Sequence, residues 1–170
     1  MPADYTSIGL KTFPNTSLRT KSIPFNDFEI VDHIYDNMLK IMYENGGIGL
    51  AANQVGLHVR LFVMDLSENK TQPELIINPE IIGFSDKKHT MDEGCLSLPG
   101  IWHKVSRPET VTIRYLDSTQ KTHEREYAGL ASSCIQHEID HLDGILFPDR
   151  ILPTKQAALW KKYLTSIKRK

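Results

Sequence analysis

The sequence predicts an α+β fold in which antiparallel sheets pack around a central helix carrying a His-Glu-x-x-His pattern. Three observations carry this prediction. Apolar residues recur at three-to-four spacing in separated stretches, the sign of helices with one buried face. Between the first two of these stretches lie runs rich in Val, Ile and Leu, bounded by turn-forming residues, which is the pattern of strands. The strands follow one another rather than alternating regularly with helices, which argues against a doubly wound parallel sheet.

The first helix is expected over 25–46, where Ile30, Ile34, Met38 and Ile41/Met42 share a face, Asn26 with Glu29 suits a start and Gly46 a stop. Strands are expected over 57–66, 74–84 and 109–117. Residues 121–127 alternate after the turn Asp117-Ser118-Thr119 and suit a hairpin partner for the preceding strand. Helical periodicity returns from 130 to about 142, and Pro148 with Pro153 separates this central helix from a last one running from 154 to the end. No repeat, linker or low-complexity segment interrupts the chain, so 1–170 reads as a single domain.

The 170 residues suffice for an apolar core without covalent staples. With 40% hydrophobic and 24% charged residues, the composition excludes a disordered or fibrous chain. The formal net charge of -1 supplies no field that would draw the chain to nucleic acid or an anionic membrane. The basic end Lys168-Arg169-Lys170 reads as a solvated helix terminus. No run approaches the roughly 18 apolar residues of a membrane span, and the first ten residues lack the pattern of a secretory signal. A cytoplasmic protein with no membrane or specific nucleic-acid partner is therefore expected. In that setting Cys95 and Cys134 should be free thiols or metal ligands rather than a disulfide.

The chemistry concentrates in the run His137-Glu138-Ile139-Asp140-His141. Residues four apart on a helix stack on one face about 6 Å apart along the axis, so two imidazoles can meet one metal ion. Glu138, offset by about 100°, can reach water beside the ion without occupying a coordination position. The same spacing arises on ordinary solvated helices, so the five residues alone leave both readings open. A catalytic metal commonly needs a third protein ligand and an open position. Cys134 shares the helical face but lies about 10.5 Å along the axis from His141, too far for its short side chain to join both histidines on one ion. It reads as a pocket wall or a core thiol. Cys95, in the turn-like run Glu93-Gly94-Cys95-Leu96-Ser97, belongs to a separate element that can approach the helix from outside, and is the expected third ligand. The glycine-rich stretch over 46–54 suits close approach of backbone to a ligand, or equally a tight turn. It is not a phosphate loop, because it lacks the Lys-Ser/Thr ending.

Taken together, three segments resemble the signature of the peptide deformylases. They are Gly-apolar-Gly-apolar-Ala-Ala-x-Gln at 47–54, Glu-Gly-Cys-apolar-Ser at 93–97, and Gln-His-Glu-x-Asp-His-Leu-x-Gly at 136–144, in that family's order and with similar separations. The resemblance extends over most of the chain. It implies that Cys95, His137 and His141 hold one divalent metal ion, with ferrous iron native and zinc, nickel or cobalt able to take its place. Ligand softness alone would have pointed to zinc. It further implies a hydrolase that removes the formyl group from the formyl-methionine terminus of nascent, ribosome-associated polypeptides and releases formate, acting as a monomer. Glu138 would move protons, while the Gln54 amide and the Leu96 backbone N–H would stabilise the oxyanion. Gly47, Ile48, Gly49, Met91, Leu130 and Cys134, with the His137 face, would bind substrate. Gly49 would hydrogen-bond a peptide extended like an added strand.

Ser133 departs from the apolar residue expected on that wall. Glu93 and Arg107 suit a buried pair bracing the cysteine loop, and Asp140 suits either a helix surface or a partner of a ligand. Two other functions compete. An ordinary His-Glu-x-x-His endopeptidase would commonly recruit His or Glu as its third ligand, and Cys95 argues against it. A non-catalytic metal module would close its site with four protein ligands, and only three good ones are in view.

Overall fold

Five strands form one antiparallel sheet in the order β1-β2-β3-β6-β7, and two more, β4 and β5, form a separate hairpin. The computed structural model describes residue 5 and residues 8–168. In chain order the elements are α1 (Val31–Glu44), β1 (Gly49–Ala51), β2 (Leu61–Met64), β3 (Glu74–Phe84), β4 (Lys88–Gly94), β5 (Trp102–Pro108), β6 (Thr110–Leu116), β7 (Thr122–Ala128), α2 (Gly129–Leu142) and α3 (Pro153–Ile167). The expected α+β class is observed, with antiparallel pairing throughout the named strands.

All four residues of β2 are buried because helices cover both faces of the sheet. Leu61 and Val63 pack with Val31, Ile34, Met38 and Met42 of α1. Phe62 and Met64, one residue out of phase, pack with Ile135, Ile139 and Leu142 of α2. Burial of each such side chain contributes about 1.5–3 kcal/mol, so the period-two alternation of β2 fixes which helix lies on which face. A third apolar cluster joins Leu98, Ile101 and Val105 to Phe147 and to Leu159 and Tyr163 of α3. It holds the segment after Cys95 against the last helix. The Tyr163 hydroxyl donates to the Phe13 carbonyl at 2.9 Å.

Within α2 every residue from 132 to 142 is buried. This helix meets β1, β2, β6 and β7 of the large sheet and β5 of the hairpin. Ser132 Oγ and Gln136 Nε2 both donate to the Pro108 carbonyl, at 3.1 and 3.0 Å, and tie α2 to the end of the hairpin.

Several expected boundaries move. The first helix begins at Val31 rather than near Phe25, preceded by a 3-10 turn at Phe28–Ile30, and neither start carries a side-chain cap. Asn26 is not the cap. The Phe25 backbone is instead gripped at both polar groups by Asn78, whose Oδ1 accepts from its N–H at 2.7 Å and whose Nδ2 donates to its carbonyl at 2.9 Å. Gly46 ends the helix region as expected, at a φ of 69° that favours glycine. The strand expected over 57–66 shrinks to Leu61–Met64, because the Val59 region pairs with Ile23 in an isolated parallel bridge. The turn at Asp117 closes the β6–β7 hairpin, with Asp117 N–H donating to the Lys121 carbonyl at 3.0 Å. The β4–β5 hairpin and the short β1 were not expected. Of the basic end, Arg169 and Lys170 lie outside the described residues.

Candidate functional site

His137 and His141 project from successive turns of α2, with ring centroids 4.9 Å apart. The segment leaving β4 brings Cys95 to them. Its Sγ lies 3.2 Å from His141 Nε2, and one donor atom from each of Cys95, His137 and His141 lies within 4.8 Å of the others. No other cluster of metal-binding side chains of this kind occurs among the described residues. Cys134 stands apart from the set, as its distance along the helix requires. It is buried, its Sγ is 3.9 Å from the Ile48 carbonyl, and desolvation pushes its thiol pKa well up. Both cysteines are free thiols.

A charge network orients the set. His137 Nδ1 is 3.0 Å from Glu93 Oε2, which leaves Nε2 directed at the shared centre. Glu93 in turn is gripped by Arg107, Nε to Oε1 at 2.5 Å and Nη2 to Oε2 at 3.0 Å. Arg107 Nη1 reaches Asp140 Oδ2 at 2.8 Å, and Arg150 closes on the same carboxylate through Nε at 3.0 Å. Asp140, ambiguous in sequence, therefore belongs to the bracing network, as do the expected pair Glu93 and Arg107. Burial pushes the Glu93 pKa up, but hydrogen bonds from His137 and Arg107 outweigh it and hold the group at about 2. The Asn53 side chain donates to the His141 carbonyl and pins the far turn of α2.

Around this centre lies a cleft of about 450 Å³. Ile48, Met91, Leu130 and Cys134 line it, together with Gly47, Leu96 and Gln54. His141 alone of the sequence-predicted site residues lies behind the lining, at 1% exposure. Gln54 is locked at both ends: Oε1 accepts from Ala51 N–H at 2.8 Å, and Nε2 donates to Ser97 Oγ at 3.1 Å beside Cys95 Sγ at 3.6 Å. In the sequence Ser97 stands out only as part of the motif at 93–97, and no periodicity marks its role in holding Gln54.

Glu138 lies against Gly49. A Cβ on Gly49 would stand 2.4 Å from Glu138 Oε1 and 2.9 Å from Cys134 Sγ, so any other residue forces the strand or these side chains to shift. The tight turn is observed at Gly46, while the close approach observed at Gly49 is to the protein's own Glu138 and Cys134. Glu138 Oε2 is buried without a hydrogen-bond partner, and desolvation raises its pKa to about 7. Ser133 also lines the cleft, with its Oγ 2.7 Å from His89 Nε2 and 3.6 Å from Met91 Sδ. At the outer end Trp102 lies on Gly94, its register partner, with 68% of its surface exposed.

The family model for polypeptide deformylase matches residues 9–157. The chain belongs to the peptide deformylase family. It is 46% identical over 154 residues to peptide deformylase 2 of Xanthomonas campestris, covering 88% of this chain and 90% of that one. It is 44% identical over 154 residues to a peptide deformylase of Chromohalobacter salexigens, covering 88% and 89%. Among solved structures, the peptide deformylase of Legionella pneumophila superimposes with a TM-score of 0.87 at 37% identity over 95% of both chains. That of Synechococcus elongatus, solved in complex with actinonin, gives 0.86 at 34% identity over 91% and 86%. The deformylases are enzymes of a hydrolase class that use a divalent metal, and membership disfavours the endopeptidase reading.

Proposed function

We propose that this chain removes the formyl group from the N-terminal formyl-methionine of nascent polypeptides and releases formate, with residues 1–170 acting as one catalytic domain. The observation that carries the reading is the convergence of Cys95, His137 and His141 within 4.8 Å beside the buried, partnerless Glu138 oxygen. One thiolate and two imidazoles suit a divalent ion, and we take ferrous iron as native, with zinc, nickel or cobalt able to replace it. When bound, the ion supplies Lewis-acid polarisation and an acidified water.

The protein's own groups do the rest. Glu138 is the base that accepts a proton from water, its basicity raised by burial, and then the acid that delivers the proton to the departing amine. Gln54 Nε2 and the Leu96 N–H are the donors for charge developing on the formyl oxygen; fixed donors of this kind lower such barriers by about 3–4 kcal/mol. Gln54 needs no reorganisation, since Ala51 and Ser97 already hold its amide. The methionine side chain enters between Ile48, Met91, Leu130 and Cys134, an apolar slot with adaptable thioether and thiol surfaces. The substrate backbone adds to the edge of β1 as an extended strand, along Gly47 and Gly49.

We further propose a cytoplasmic monomer that meets nascent chains as they leave the ribosome, with no membrane or nucleic-acid partner. Among the described residues no helix is long and apolar enough to cross a membrane. Anaerobically purified, ferrous-loaded protein should release formate from formyl-Met-Ala-Ser and leave unformylated Met-Ala-Ser intact. No formate, or cleavage of the unformylated peptide, would overturn the reading.

A further inference from the structure

A polar group stands on the apolar wall of the cleft. Ser133 is 5% exposed, yet it lines the same space as Ile48, Leu130 and Cys134. Its hydroxyl makes two contacts, to His89 Nε2 at 2.7 Å and to the thioether sulfur of Met91 at 3.6 Å. A serine hydroxyl has one hydrogen to donate and two lone pairs. The His89 Nε2 meets the hydroxyl oxygen, and the hydroxyl is placed to donate its hydrogen to the Met91 sulfur. The pocket wall therefore already pairs this hydroxyl with a thioether, held by an unbranched methionine chain that rotates easily.

We propose that Ser133 determines specificity for the first substrate residue, its hydroxyl passing from the Met91 sulfur to the sulfur of the incoming methionine. An aliphatic wall would bind methionine and norleucine alike, because the two side chains differ only in sulfur for methylene. The incoming side chain separates the hydroxyl from the Met91 sulfur; methionine offers it a sulfur in exchange, whereas norleucine leaves it facing a methylene group. This rests on the deformylase reading, and the two fail separately.

The test compares kcat/KM for formyl-Met-Ala-Ser and formyl-Nle-Ala-Ser on wild type, Ser133→Thr and Ser133→Val. Threonine and valine have nearly the same shape and differ in the hydroxyl, and each ratio is taken on one sample, so partial misfolding cancels. Wild type and Ser133→Thr should prefer methionine, and Ser133→Val should lose roughly threefold to tenfold of that preference. Titration calorimetry of the deformylated peptides should shift the Kd ratio the same way. A Ser133→Val variant that keeps the wild-type ratio in either measurement overturns the proposal. Failure of wild type to deformylate either peptide would instead sink the underlying reading.

Discussion

Helix α2 and the β4–β5 hairpin meet at the same centre, yet their polar residues are buried for different reasons. On α2, His137, Glu138 and His141 are buried because the helix runs through the middle of the fold, with the large sheet on one side and the hairpin on another. On the hairpin, Glu93 and Arg107 are buried because each satisfies the other and both satisfy α2, through His137 and Asp140. One region is placed by apolar packing and carries polar groups inward. The other is held by charge pairing on β4, which lacks an apolar face, together with the packing of Val105 on β5. The lesson is that a site can be half legible by periodicity and half only by partnership.

The sharpest way to break this comparison is to remove a proposed metal donor from each region. Cys95→Ala and His141→Ala should each lose stoichiometric metal by elemental analysis and nearly all formate release; metal retained by either variant would remove that residue from the set. Glu138→Ala should keep the metal and lower turnover by about 10²–10⁴-fold, the range for a positioned proton carrier.

Next comes the bracing network. Arg107→Met leaves the buried Glu93 carboxylate without its cation and should lower unfolding stability by about 3 kcal/mol, read from urea melts. A change under about 1 kcal/mol would mean that charge pairing does not position the hairpin. Gly49→Ala tests the α2 side: its Cβ would meet Glu138 Oε1, and a carboxylate displaced by about 1 Å should cost up to about 10²-fold in kcat with metal content unchanged. Wild-type kcat would show that the strand shifts instead.

The smallest effect lies away from the centre. Asp149 bonds Arg19, accepts from Leu146 N–H at 2.9 Å and holds the turn after α2. Burial pushes its pKa up, but the bonds from Arg19 and Leu146 prevail and hold it below the usual carboxylate range. A depressed folded pKa stabilises above the unfolded value and is lost as pH falls through the folded one. Asp149→Asn should therefore cost about 0.5–1 kcal/mol at pH 7, limited by solvent around Arg19, and progressively less below about pH 4. A loss independent of pH would point to packing rather than charge.

The α1 stripe, β3, the β6–β7 hairpin and α2 were legible because their residues repeat at 3.6 or alternate at 2. The β4–β5 hairpin was not, since Lys-His-Thr-Met-Asp-Glu-Gly shows no apolar alternation and its one buried residue is Glu93. The start of α1 was misplaced because Phe25 looks helical locally, while Asn78, 53 residues away, holds its backbone outside the helix. Ser97 and Asp140 carried no local signal of what they grip.

By itself the sequence determined the class of fold, the pair of imidazoles one helical turn apart with a carboxylate between them, and the family whose motifs it carries. Those features depend on residues within a few positions of one another, and the geometry of a helix turns such spacing directly into distance. Only the tertiary structure decided that Cys95 reaches His141, that Glu93, Arg107 and Asp140 form one buried network, and that Ser133 faces Met91 and His89. Each of those joins segments dozens of residues apart, and what selects them is the cost of leaving a buried polar group unpaired, a quantity that exists only once the chain has closed around it.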